Sequence, residues 1–294
     1  MKRISLISLL VVVGLWGIAQ PAHGQALVPH ILELDREQLE QQGLALAQEA
    51  AQLTQFQQYE LALARAQLAA QLLPDNPDVL ALLGSLYLQL GQLDPGIEAL
   101  LKARTLDRSN SAVLFALGSA YFQQENYELA AQYLQSGLQI RPDTPGALFD
   151  LGNAYYKLNR YDEAIAQYQR AVELETTFWP AVNNIGLVLY EQGDIEGALE
   201  KWRQAVAIDA TQAEPQLAIA VVLYAQGETE EALTIGETAL RIDSRYADPI
   251  FLQENLWGER LIADAQTFLS QPQIREALAQ LNGNDTSPEQ APPQ

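Results

Sequence analysis

A step of 34 residues governs most of this chain. Gly84, Gly118, Gly152 and Gly186 stand 34 apart, and Ala220 continues the column. One position earlier run Leu83, Leu117, Leu151, Ile185 and Ile219; three positions later run Tyr87, Tyr121, Tyr155, Leu189 and Leu223. Gly96, Ala130, Ala164, Ala198 and Ala232 keep the same step, as do Ala103, Gly137, Ala171, Ala205 and Ala239. Five columns in register are not coincidence. They mark a stack of like units, each burying its apolar face on a neighbour.

Within one period the pattern is helical. Leu148, Leu151, Gly152 and Tyr155 fall at i, i+3, i+4 and i+7, one apolar stripe on a first helix. Ala164, Ile165, Tyr168, Ala171 and Val172 do the same for a second. A short polar break, Leu158 to Asp162, separates them, and the sister breaks carry Gly91, Gly193 and Gly227 as helix stops. Pro74, Pro77, Pro142, Pro145 and Pro180 punctuate the joins between periods. The small residues let paired helices approach closely, with Gly152 facing Ala164 and the Tyr155 and Tyr168 rings filling the space around them.

The pattern Leu148–Leu151–Gly152–Tyr155–Ala164–Tyr168–Ala171, and Leu114–Leu117–Gly118–Tyr121–Ala130–Gly137–Pro142 before it, resembles the tetratricopeptide repeat family. That resemblance implies an all-α, right-handed solenoid of stacked helix-turn-helix repeats. Six periods fit, at 43–76, 77–110, 111–144, 145–178, 179–212 and 213–246, so that repeats cover 43–246. The first is degenerate, with Glu49-Ala50 where Leu-Gly is due. Residues 25–42 read as an N-terminal capping segment and 247–281 as C-terminal capping helices, one over 259–270 and a shorter one over 273–281. The polar stretch 282–294 reads as a disordered tail.

Residues 1–24 read as a signal peptide. Lys2 and Arg3 precede an uncharged, mostly apolar stretch from Ile4 to Ala19, and Ala22-His23-Gly24 offers small residues to a signal peptidase. The alternative is an uncleaved membrane anchor at residues 4–19. Sixteen residues of helix span about 24 Å against a hydrocarbon core of roughly 30 Å, which favours cleavage. Either way the body is exported, to a periplasm or comparable lumen.

Composition argues against chemistry. There are 17 Lys and Arg against 37 Asp and Glu, a net charge of −20, which gives nucleic acid no basic footprint. The chain has no cysteine and two histidines, His23 and His30, so thiolate sites, His-based catalysis and His-rich metal sites lack material. No phosphate-binding glycine loop is present. The reading is therefore no enzyme, no cofactor, no metal, and no membrane contact apart from the possible anchor.

What remains is surface. Beside the packing stripe, the first helix of each period carries a second one, with columns Phe122, Tyr156, Tyr190, Tyr224 and Phe115, Phe149, Asn183, Leu217. In the family these columns line a concave groove. Phe115, Phe122, Phe149, Asn153, Tyr156, Asn183, Asn184, Tyr190 and Tyr224 are thus the candidate partner-binding residues, rings for contact area and amides for register. Packing of these rings against the next repeat is the competing explanation. Lys157 is the only cation in the groove columns, which argues against a clamp for a partner's C-terminal carboxylate. The expected function is an exported, non-catalytic scaffold holding a protein or peptide partner, with a part in complex assembly. A self-associating adaptor, a glycan or small-molecule binder, and a membrane-anchored assembly factor for photosynthetic complexes stand as alternatives.

Overall fold

The computed structural model describes residues 35–284, and those residues form fifteen α-helices and one short 3-10 turn, without a strand. The signal-peptide assignment, most of the 25–42 segment and residues 285–294 of the tail lie outside them. Six antiparallel helix pairs follow one another: α1 (Arg36–Gln55) with α2 (Tyr59–Leu72), α3 (Pro77–Gln89) with α4 (Leu93–Leu106), and α5 (Ser111–Gln123) with α6 (Tyr127–Ile140). Then come α7 (Pro145–Lys157) with α8 (Tyr161–Leu174), α9 (Trp179–Gln192) with α10 (Ile195–Ile208), and α11 (Ala213–Gln226) with α12 (Thr229–Ile242). After a 3-10 turn (Ser244–Ala247) come α13 (Pro249–Glu254), α14 (Glu259–Leu269) and α15 (Pro272–Asn284).

Local chemistry sets the ends. Asn76 and Asn110 cap α3 and α5, each side chain accepting from two backbone N–H groups of the first turn, and Asp35 does the same for α1. Inside each pair the first helix stops at a left-handed residue, and these too recur every 34: Gln57, Gly91, Glu125, Asn159, Gly193 and Gly227. The following N–H reaches back to the last turn of the helix, as Asn126 does to Tyr121 and Arg160 to Tyr155, both at 2.9 Å.

One contact explains the small-residue column. A Cβ at Gly84 or Gly118 would strike the Leu100 or Leu134 side chain, one at Gly152 the Tyr168 ring, and one at Gly186 the Trp202 ring. In these four pairs the second helix thus drives one large side chain onto the bare backbone of its own first helix, and Leu100, Leu134, Tyr168 and Trp202 are fully buried. In the last pair the ring position is Gly236. Phe268 of α14, fully buried, fills the space that residue leaves.

Two boundaries differ from the sequence reading. The capping segment and the first repeat are not separate at residue 42, because α1 runs unbroken from Arg36 to Gln55 with no helix breaker but Gly43. Gly43 is tolerated because a side chain there would meet Leu73. At the other end α15 carries helix three residues into the expected tail, to Asn284.

Candidate partner-binding groove

Successive first helices approach one another (α1 with α3, α3 with α5, α5 with α7) more closely than successive second helices do, so the stack curves with first helices inside. The inner face carries the columns that the sequence singled out. Its two ends differ.

Over α9 and α11 the inner face is covered by the chain itself. Residues 249–269, called the strap below, bring α14 against both helices, so that Asn183, Leu187, Tyr190, Leu217 and Val221 are buried. The contact is polar as well as apolar. Tyr190 donates from its hydroxyl to Asp264 at 2.5 Å, and the Arg260 guanidinium lies 4.9 Å from the Tyr190 ring centroid while donating to the Tyr190 carbonyl at 3.3 Å. Glu191 accepts the Leu261 backbone N–H at 3.3 Å, and Tyr224 meets the Phe268 ring edge-on with centroids 5.6 Å apart.

Beneath the strap sits Glu214, a buried carboxylate with no cation against it among the described residues. It accepts from the Trp257 indole N–H at 3.1 Å and from the Tyr246 hydroxyl at 3.4 Å. Burial outweighs these bonds, and the one from the flanking Asn183 side chain, so its pKa is pushed up to about 7. On α7, burial likewise raises Asp150 despite a 3.1 Å bond from the Ser119 hydroxyl.

The candidate residues divide accordingly. Asn183, Asn184 and Asn153 come together, but as a chain of internal bonds: Asn183 donates to Asn184 at 3.1 Å, Asn184 to Asn153 at 3.0 Å, and Tyr168 to Asn153 at 2.7 Å. Their amides serve the core rather than standing free for a ligand's backbone. Tyr190 lies under the strap, and half-buried Tyr224 packs on its Phe268. Phe149 is half-buried between Tyr168 and Phe178, with centroids 5.7 and 5.4 Å away. Phe115 lies over Gly137. Phe122, edge-on to Tyr127, remains on the wall of an open cleft.

That cleft, about 690 Å³, lies between the inner edge of the second to fourth pairs and α13; Phe122, Glu125, Tyr127, Lys157, Ile250 and Glu254 help to line it. A second, of about 440 Å³, adjoins it on the far side of Leu256 and has Tyr156, Tyr161, Glu191 and Glu259 in its walls. Tyr156 is 7% exposed, and its buried hydroxyl has no hydrogen-bond partner among the described residues. Leu256, shared by both clefts, holds a left-handed φ of 67°, an uncommon state for a branched side chain.

The strap was not visible in the sequence. Its hydrogen bonds to α9 and α11 join residues 43 to 74 apart, outside the 34-residue register. The available signal was Gly236, which breaks the column Leu100, Leu134, Tyr168, Trp202 and so leaves a socket to be filled from elsewhere. Among the described residues no three or more His, Cys, Asp or Glu group as a metal site, and no helix is long and apolar enough to cross a membrane.

Tetratricopeptide repeat models match residues 82–145, 115–182 and 186–227. Among solved structures, a MamA crystal structure superposes with a TM-score of 0.53 at 22% identity, covering 59% of this chain and 94% of that one. MamA residues 41 to the end from Desulfovibrio magneticus RS-1 gives 0.54 at 19%, covering 60% and 97%. YrrB, described as a TPR protein with an unusual peptide-binding site, gives 0.51 at 20%, covering 69% and 97%. At such identities the likeness is one of fold. No curated protein sequence matches the chain. The strap lies beyond the last matched residue.

Proposed function

We propose that this chain, which belongs to the tetratricopeptide repeat family, acts as a non-catalytic scaffold that holds a polypeptide along the inner face of α3, α5 and α7. One observation carries the reading. Over α9 and α11 the same face already holds a polypeptide helix, its own α14, whose Asp264, Arg260 and Phe268 meet the column rings Tyr190 and Tyr224. At the carboxyl ends of α5 and α7 two residues of those columns, Phe122 and Tyr156, stand in the walls of open clefts. A surface that binds one helix at one end has the shape and chemistry to bind another segment alongside. YrrB, a relative in fold, is itself described as peptide-binding, which agrees with this use of the stack.

The scaffold works after export, on the strength of Lys2-Arg3, the apolar stretch behind them and Ala22-His23-Gly24. N-terminal sequencing of native protein should begin near Gln25; intact Met1 on a detergent-extracted protein would mean an anchor instead. For the groove, a photo-crosslinking residue is placed at Gln123, on the cleft wall, and in a second protein at the exposed Glu173 of α8. Capture of a polypeptide from the source extract through position 123 but not 173 is the expected result. The reverse pattern would move the function to the outer face.

A further inference from the structure

We propose that the two clefts beside Leu256 form a docking site for a polypeptide segment that presents an arginine flanked by apolar side chains. This deepens the groove reading above and rests on it.

The strap supplies the internal template. Tyr190 belongs to the column Leu88, Phe122, Tyr156, Tyr190, Tyr224, and the chain answers that ring with its own Arg260, stacked over the face and bonded to the backbone carbonyl beside it. One repeat upstream Tyr156 holds the same column position at the end of α7, beside Tyr161 at 5.8 Å, with a buried hydroxyl that lacks a partner among the described residues. No cation of the chain lies over its ring among the described residues. Tyr156 is itself buried, so the accessible ring at this repeat is the half-buried Tyr161 beside it, in the wall of the same cleft.

Charge points the same way. Glu191 and Glu259 line one cleft, Glu125 and Glu254 the other, against the single cation Lys157, which is turned over the Tyr127 ring at 5.7 Å. Four carboxylates and three tyrosines around one lysine form a site for a planar cation, which stacks on rings and forks onto carboxylates. Burial raises the Glu191 pKa even though Arg260 and the strap's backbone N–H groups act to lower it. Beside these groups, Phe122, Ile250, Leu256 and Ile262 offer apolar wall, and Ile250 is 66% exposed. A small anion is repelled here, and the carboxylates do not cluster as metal ligands do. The clefts also continue the strap interface, so a docked segment would lie alongside the chain's own helix.

The test uses the full chain and a nine-residue peptide, Gly-Ser-Leu-Leu-Arg-Leu-Phe-Ser-Gly, carrying a fluorophore and a terminal photo-crosslinker. Versions with lysine or glutamine in place of the arginine complete the set. The arginine peptide should bind about tenfold tighter than the glutamine one, with lysine between them, and should crosslink to α5, α7 or α13. Glu125→Gln with Glu259→Gln alters two exposed carboxylates and leaves the core alone; it should cut the arginine preference at least about threefold and leave the glutamine peptide unchanged. Tyr161→Leu should do likewise. Equal binding of the arginine and glutamine peptides, both crosslinking inside the groove, overturns the arginine assignment while the groove reading stands. An arginine preference unmoved by both variants puts the cation elsewhere and also overturns it. Crosslinks confined to the outer face, or no binding by any peptide, overturn the site and count against the groove reading as well.

Discussion

At residue 57, and every 34 residues up to 227, the backbone turns left-handed, and three of the six residues that make this turn are not glycine. Gln57, Glu125 and Asn159 hold φ near 58°, which brings Cβ against the following carbonyl and costs roughly 1–2 kcal/mol for most residues, less for Asn. Gly91, Gly193 and Gly227 make the same turn without that cost. Glu125→Gly should therefore raise stability by about 0.5–1 kcal/mol once the extra freedom of unfolded glycine is deducted, and Gly193→Ala should lower it by a similar amount. Urea melts of the two variants against the parent check both signs. The three glycines could be read from sequence as helix stops, whereas Gln57, Glu125 and Asn159 could be placed only by counting the period, since nothing in their side chains announces the conformation. The inner asparagines show the opposite limit. Their column was legible, yet whether Asn184 bonds a ligand or Asn153 depends on which helix lies opposite, and spacing along one chain does not carry that.

The strap is where elements decide the outcome. Phe268 enters the socket at Gly236, so Phe268→Ala should cost roughly 3–5 kcal/mol, the usual toll of a deleted core ring. Adding Gly236→Leu to that variant supplies from α12 what Leu100 and Leu134 supply from α4 and α6, and should restore part of the loss. Gly236→Leu alone should destabilise, because both side chains then claim one space. A double-mutant cycle by thermal melting separates these cases, and simple additivity would refute the socket. Glu214 gives the same interface a pH dependence. Its folded pKa of about 7 lies above the ordinary 4.5, so its contribution is complete below about pH 4.5 and is lost as pH rises through 7. The groups facing it are Trp257, Tyr246 and Asn183, and Tyr246 in turn feels the charges of Asp243 and Arg245. Burial moves Asp150 and Glu191 in the same direction, while the lowered Asp107, Asp209 and Asp243 act only in more acid solution. Unfolding should thus need more urea at pH 5 than at pH 8, by on the order of 3 kcal/mol at most, and Glu214→Gln should flatten most of the difference.

Over the whole molecule, contacts run from each pair to the next until the strap gathers α9 to α12 into one larger core. Removing residues up to 76 should leave 77–284 folded, with the strap undisturbed, because only the seams of α1 and α2 with α3 are broken. Removing everything after 248 should be far worse, since it uncovers Leu187, Leu217, Val221 and the buried Glu214 together. Circular dichroism and gel filtration of the two truncations make the comparison, and equal tolerance would count against the strap as part of the fold. The socket at Gly236 also governs how such a chain can lengthen in evolution. A duplicated unit inserted among the middle repeats meets a like neighbour on either side and brings its own large side chain, so the array extends without a gap. A copy of the final unit brings a second empty socket and only one Phe268 to fill it. Growth by duplication is therefore open in the interior of the array and closed at its carboxyl end, where the chain fixes its own last repeat.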